Sequence, residues 1–275
     1  MVDILGRGTI RKMRTRLESP VRYALPLGET EVVMNELLGK QVSMHFSGRI
    51  ECIACGRETK KSFSQGYCYP CFKRLAECDM CIMRPETCHF HLGTCRDPAW
   101  AQDHCMQQHV VYIANSSGLK VGITRGSQVP TRWIDQGASQ AIPVFRVTNR
   151  LHSGLIETTL KKYVSDRTDW RKMLKGYNPL PDMEARAASL IDEAADDLIA
   201  LSRDHPELAL ERLDESVTEI SYPVENYPEK VSSFSFDKTD EVTGVLQGIK
   251  GQYLMLDGGV INMRKFAGYE IELHG

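Results

Sequence analysis

The sequence predicts an α+β protein: an α/β sandwich at its centre, a zinc-ribbon-like section inserted ahead of it, and a small β-barrel formed by the two chain ends. Three observations predict this. Short alternating segments occupy both termini, CxxC pairs crowd residues 52–105, and a hairpin followed by strand and helix patterns fills 109–175. The implied divisions are 1–51 plus 240–275 for the β-unit, 52–108 for the cysteine-rich section, 109–175 for the central domain and 182–220 for an acidic helical segment.

At the N-terminus, GTIRKMRTR and VRYALPL are short alternating segments, ETEVVMNELLG suggests a short helix, and KQVSMHFSGRIEC suits a long strand. EVTGVLQGIKGQYLMLDGGVINMRKFAGYEIEL reads as four strands broken at Lys250-Gly251 and Asp257-Gly258-Gly259. Such short strands bury no core alone. The two ends are therefore expected to meet in one OB-like or SH3-like barrel or sandwich. Arg264, Lys265, Tyr253 and Tyr269 would offer that unit a surface for nucleic acid, although tyrosines in strands also serve as plain packing.

Nine cysteines lie between 52 and 105, a clustering that suits metal binding in a reducing compartment better than a disulfide framework. Cys52-Ile-Ala-Cys55 and Cys68-Tyr-Pro-Cys71 give CxxC-x12-CxxC. Each CxxC turn aims two thiolates at one point, so two such turns complete a zinc tetrahedron, and Gly56 and Gly66 suit the tight knuckles. A redox CxxC would not come twice at this spacing. Downstream, Cys78, Cys81, Cys88, Cys95 and Cys105 accompany His89, His91 and His104. A second structural zinc there would use Cys78 and Cys81 plus two of Cys88, His91, Cys95 and Cys105; two further sites, or one site plus free thiols, are the alternatives.

The central domain opens with HVVYIANSSGLKVGITR. Val110–Ile113 and Leu119–Thr124 flank the turn-forming Asn115-Ser-Ser-Gly118, a hairpin pattern. A helix begins near Pro130-Thr-Arg132, AIPVFRVTN is a third strand, and SGLIETTLKKYVSDR is a helix with an apolar stripe at Leu155, Ile156, Leu160 and Val164. Residues 110–175 hold 11 Lys and Arg against 4 Asp and Glu, whereas 176–241 hold 5 against 17. A basic centre beside an acidic flank points to an anionic partner at the centre, and nucleic acid is the expected one.

From 182 to 215 the pattern is helical. Ala187, Leu190, Ile191, Ala194, Leu198 and Leu201 form its apolar face, His205-Pro206 interrupts it, and PELALERLDE reads as a second short helix. This acidic segment is a packed surface, a shield for the basic domain, or a dock for a protein partner. Tyr222-Pro223 and Tyr227-Pro228 mark an extended return to the β-unit. No apolar run approaches the ~18 residues that cross a bilayer, and the N-terminus lacks a signal-peptide core, so no membrane partner and a cytoplasmic location are expected.

Val110-Val111-Tyr112, Lys120-Val121-Gly122, Thr124, Arg132 and Glu157 together resemble the core of GIY-YIG endonucleases, in the short branch of phage and plasmid proteins. The resemblance implies strand–hairpin–helix–strand–helix order and an α/β sandwich. It implies that Tyr112 assists the nucleophile, Arg132 binds the scissile phosphate and Glu157 holds Mg²⁺ or Mn²⁺. Lys120 replaces the second tyrosine, Lys161 stands where this branch often has a histidine, and Arg125 is a further phosphate contact. Trp170 stands where the branch tends to carry an aromatic. Because one tyrosine is absent, the implied function is a zinc-containing nucleic-acid binder with little or no catalysis. A divalent-metal endonuclease and a zinc-stabilised interaction scaffold are the alternatives. Over nearly its whole length, including VYIA, SSGLKVGITR, PTRWIDQGA and DGGVINMRKFAGYE, the chain also resembles a bacterial family of unknown function.

Overall fold

The computed structural model describes residues 3–176 and 179–275. The N-terminal part carries β1 (Ile4–Thr9), β2 (Arg14–Arg16), β3 (Arg22–Leu27), β4 (Thr30–Val33) and the ten-residue β5 (Gln41–Ile50). The cysteine-rich section has three short helices, α1 (Tyr69–Arg74), α2 (Met80–Met83) and α3 (Pro98–His104). The centre follows as β6 (His109–Asn115), β7 (Leu119–Arg125), α4 (Thr131–Asp135), β8 (Gln140–Val147), α5 (Arg150–Leu160) and α6 (Trp170–Met173). Then come α7 (Met183–Glu193), α8 (Ala195–Asp204) and the two-residue strands β9 (Glu211–Arg212) and β10 (Thr218–Glu219). The chain closes with β11 (Glu241–Lys250), β12 (Tyr253–Leu256), β13 (Gly259–Asn262) and β14 (Tyr269–His274).

The two termini do come together, but in an open sheet and not in the expected barrel. Six strands pair in the order β1-β14-β5-β11-β12-β13, and β2-β3-β4 form a separate three-stranded sheet. β1 and β13 remain as edges. The sheet need not close on itself because another layer covers its apolar face. Leu246, Leu254 and Ile261 share one buried cluster with Tyr112, Trp133 and Ile134 of the centre.

That shared core explains why the hairpin strand β6 shows no polar alternation. All seven of its residues are buried. Successive side chains point to opposite faces of a strand, and here both faces are covered. Val110, Tyr112 and Ala114 enter the cluster shared with the terminal sheet, whereas Val111 and Ile113 enter a second cluster with Ile156 and Leu160 of α5. β6 lies between β7 and β8 in the central sheet, with the small β10 and β9 added outside β8.

The segment 182–215 departs from the expected pair of helices. The apolar face is as read, with Ala187, Leu190, Ile191, Ala194 and Leu198 buried against the central sheet. However, the helix breaks at Ala194 into α7 and α8, and PELALERLDE forms a turn and the strand β9. The reason is tertiary. Leu208 must reach the same core as Leu198, and Arg212 pairs in register with Phe145 on β8, which an extended chain can do and a helix cannot. Similarly, 29–39 resolves into β4 and a single 3-10 turn over Met34–Leu37.

The cysteine-rich section is wedged between the two other parts. The Glu51 amide donates to the Gly268 carbonyl at 2.7 Å, tying its start to the terminal sheet. Its later half lies on α5: Gly154 abuts the Pro85–Glu86 backbone so closely that a Cβ there would stand 2.5 Å from the Glu86 nitrogen.

Candidate functional site

The first cysteine cluster is built as its spacing requires. The sulfurs of Cys52, Cys55, Cys68 and Cys71 all lie within 4.8 Å of one another, and Cys55 and Cys68 are 3.8 Å apart. Thiolates around zinc at its usual bond length of ~2.3 Å would be about 3.8 Å apart. The first knuckle is closed by a bond from the Gly56 amide to the Cys52 carbonyl at 2.9 Å, with Gly56 at φ +69°. Burial raises the Cys52 thiol, but the amides of Cys68, Ala54 and Cys55 outweigh it and pull it below its ordinary range. Burial and the three neighbouring sulfurs push the Cys71 thiol up. A dication would relieve that conflict, so this group could hold a structural zinc.

The second site is a cleft of about 480 Å³ beside the hairpin. Lys120 and Gly122 reach it from β7, Arg132 and Gln136 from α4 and its end, and Glu157 and Lys161 from α5 and its end. Arg125 lines it at the end of β7. Tyr112 is not among the residues lining the cleft: it is fully buried, and its hydroxyl donates to the lining Gln136 Oε1 at 2.8 Å. Gly122, directly opposite Tyr112 in the ladder, has no room for a side chain, because a Cβ would stand 2.6 Å from the phenol oxygen.

The electrostatics are strongly cationic. Seven lysines and arginines and three carboxylates line the cleft. Asp135 is taken by Lys12, not by Arg132 one turn earlier, and Asp166 pairs with Lys161 at 3.1 Å. Among the described residues no carboxylate forms an ion pair with Arg125, Arg132 or Arg264. Burial, reinforced by Arg132, pulls the Lys120 ammonium down to about 8. Burial pushes the Tyr112 phenol up to about 12, against the pull of Arg132. The Glu157 carboxyl is raised by burial, with Lys161 opposing.

Three of the cleft's cations come from outside the hairpin pattern. Lys12 and Arg264 belong to the terminal β-unit, and Arg150 begins α5. Gln252 brings Lys12 in: its amide nitrogen donates to the Met13 carbonyl at 3.1 Å and to Asp135 Oδ1 at 2.9 Å. No sequence pattern foretells that bridge. Of the four terminal residues suggested for nucleic acid, only Arg264 lines the cleft. Lys265 pairs with Asp237 at 3.6 Å, Tyr269 donates to the same carboxylate at 2.6 Å, and Tyr253 stacks on Trp170. No residue of α7 or α8 is among those lining the cleft.

The remaining cysteines divide. Cys81, Cys88, Cys95 and Cys105 line one small hollow, while Cys78 and His91 lie outside it. Cys78 sits close enough to Glu77 and Cys52 to feel their charge, and His91 is exposed in a neighbouring apolar groove.

Fold and sites together define an α+β protein with a four-cysteine group competent for zinc and a cationic cleft roofed by cysteine-rich loops. The chain belongs to the DUF2797 family, described as a protein of unknown function and matched over residues 39–271. No curated protein and no solved structure matches it. No helix among the described residues is long and apolar enough to cross a membrane.

Proposed function

We propose that the cleft binds the phosphate backbone of a nucleic acid, with the zinc-competent section bracing one wall. One observation carries this reading: Lys120, Arg125, Arg132 and Lys161 converge with Arg150 and Arg264 on one open cleft. Among the described residues Arg125, Arg132 and Arg264 lack a carboxylate ion-pair partner, and such cations favour a polyanion, because each contact made with a phosphate releases counterions. From the hairpin onward the order hairpin, helix, strand, helix over 109–160 follows the arrangement that the GIY-YIG resemblance implies, but among the described residues the strand expected ahead of the hairpin is absent and α3 stands in its place. The test is binding of labelled single- and double-stranded DNA and RNA at low salt. Binding that Arg132→Ala weakens supports the reading; no binding to any of them sinks it.

A second reading, phosphodiester hydrolysis, is favoured by Glu157 standing in the same cleft as Arg132 and Lys120, within electrostatic reach of Tyr112. Among the described residues Glu157 is the one lining carboxylate without an ion-pair partner, and Lys161, Asp166, Lys120 and Arg150 are its charged neighbours. A hard dication held by one carboxylate among cations would need the substrate phosphate as a further ligand. Glu157 would thus hold Mg²⁺ or Mn²⁺ only together with substrate, and the ion would supply a Lewis acid to a phosphate oxygen. Arg132 would neutralise charge growing on the phosphate, and Lys120, already easy to deprotonate, would accept a proton from water. Cleavage dependent on Mg²⁺ or Mn²⁺ and lost in Glu157→Gln supports this reading. Its absence leaves a binder.

A further inference from the structure

The five cysteines beyond the first cluster include four with a common destination. Cys81, Cys88, Cys95 and Cys105 line a hollow of about 10 Å³ between α2 and α3, room for one ion or one water. They come from separate turns, spaced by six, six and nine residues, so the fold and not a local motif assembles them. Cys81, Cys88 and Cys105 are buried and Cys95 is half-buried. Cys81 lies within electrostatic reach of Cys88 and Cys105, and Cys105 within reach of Cys88 and Cys95.

The chain around this hollow has little else to hold it. Between Ala76 and Cys105 the regular elements are three to seven residues long, and the buried residues are Cys81, Cys88 and Cys105 with Ala76, Cys78, Pro85 and Ala101. Loops that bury so little apolar surface need a cross-link. The tightest donor set at the hollow is Asp79, Cys81 and His89, whose ligand atoms lie within 4.8 Å of one another; among the described residues no three of the four thiols do. Asp79 already accepts from Arg96 Nε at 2.6 Å, whereas His89, with Nδ1 2.8 Å from the Thr94 hydroxyl, keeps Nε2 for a metal. The four thiols are the soft donors that line the hollow, and His89 Nε2 competes with the least buried of them, Cys95.

We infer that Cys81, Cys88, Cys95 and Cys105 hold a second thiolate-bound soft metal centre, separate from the first cluster, from which Cys78 and His91 are excluded. Its position matters for the cleft, a consequence that rests on the function proposed above. Arg150 Nη2 donates to the Ile82 carbonyl at 2.6 Å, the Arg150 amide donates to the Cys105 carbonyl at 2.8 Å, and Pro85 packs on Gly154. The centre therefore fixes the start of α5, the helix that carries Arg150 and Glu157.

The test is metal analysis of the purified full chain, with acid-labile sulfide measured alongside. About two zinc per chain marks a four-thiolate zinc; about one zinc plus iron and sulfide marks an iron–sulfur cluster on the same ligands. In either case Cys95→Ser and Cys105→Ser should each lose the second centre, while Cys78→Ser and His91→Ala keep it. Cobalt(II) loading of the wild-type chain provides a readout that needs no variant: the thiolate charge-transfer absorption of the zinc form should report about eight thiolates, not four. A single metal per chain that is lost with Cys55→Ser, or a second metal that leaves with Cys78→Ser but survives Cys95→Ser and Cys105→Ser, would overturn the inference.

Discussion

Tyr112 and Gly122 face each other across the hairpin, and the phenol occupies the space that any side chain at 122 would need. The pairing supports the cleft from beneath, since Gly122 lines it, the Tyr112 hydroxyl donates to the lining Gln136, and the ring packs edge-on against Trp133 at 5.9 Å. Gly122→Ala should force the ring aside and destabilise the protein by about 1–3 kcal/mol, as overpacked cores do. In urea melts the double variant Tyr112→Leu/Gly122→Ala should cost less than the sum of the single changes. Additive costs would mean that the two residues do not compete for one space.

Tyr112→Phe removes only the hydroxyl that Gln136 accepts from. The expected loss is about 1 kcal/mol in stability, with nucleic-acid affinity nearly unchanged, because the phenol lies beneath the cleft and not in it. A large loss of affinity in this variant would place the hydroxyl in contact with the ligand.

Lys120 and Lys250 make stability depend on alkaline pH. Burial, helped by Arg132, brings Lys120 to about 8, and burial alone brings Lys250 to about 8. In the unfolded chain both return to the ordinary value near 10.5. Between those limits the unfolded chain binds protons that the folded chain has released, so stability rises as pH goes from about 8 to 10.5. Below that window the fold carries the cost of a buried ammonium, roughly 3 kcal/mol at most for a shift of this size. Lys120→Met should therefore be more stable than wild type at pH 7 and gain less on raising the pH to 10. A Met variant less stable at pH 7 would contradict the burial cost.

The same lysine makes binding pH-dependent with the opposite slope. A bound phosphate favours the ammonium, so binding takes up a proton once the pH passes about 8. Affinity of the wild type should fall above that pH, and Lys120→Arg should flatten the decline. Fluorescence anisotropy at constant ionic strength from pH 7 to 9.5 measures it, and a flat wild-type profile would remove Lys120 from the ligand contacts.

The first cysteine cluster predicts a loss of metal with a loss of structure. Cys55 is its exposed member, so Cys55→Ser removes a ligand without disturbing a packed core. The variant should lose one zinc per chain and melt well below wild type, since structural zinc supplies folding energy on the order of 10 kcal/mol in small domains. Inductively coupled plasma analysis and a thermal melt read both.

The hairpin, its turn and the first four-cysteine group were legible because each is set by residues close in sequence: Asn115–Gly118 for the turn, two CxxC knuckles for the cysteines. Lys120, Arg125, Arg132, Glu157 and Lys161 were found by their order along the chain, and the fold brings all five to one cleft. Lys12 and Arg264 joined it through contacts across more than a hundred residues, which local pattern cannot carry. The helix pattern at 206–215 misled for a related reason: pairing with β8 outweighs local propensity. The closed barrel failed because the terminal strands found their cover in the central domain's Tyr112 and Trp133 face, and so left their own edges apart.

Salt dependence of nucleic-acid binding, measured for wild type, Arg132→Ala and Arg264→Ala, decides whether the cleft is a phosphate site. If Arg125, Arg132, Arg150, Arg264 and Lys120 engage phosphate, log affinity should fall with log salt at a slope of roughly −3 to −5, and each alanine variant should reduce that slope by about 1. Wild-type binding that is absent at low salt, or a slope that neither variant changes, would show that this cleft serves some other ligand.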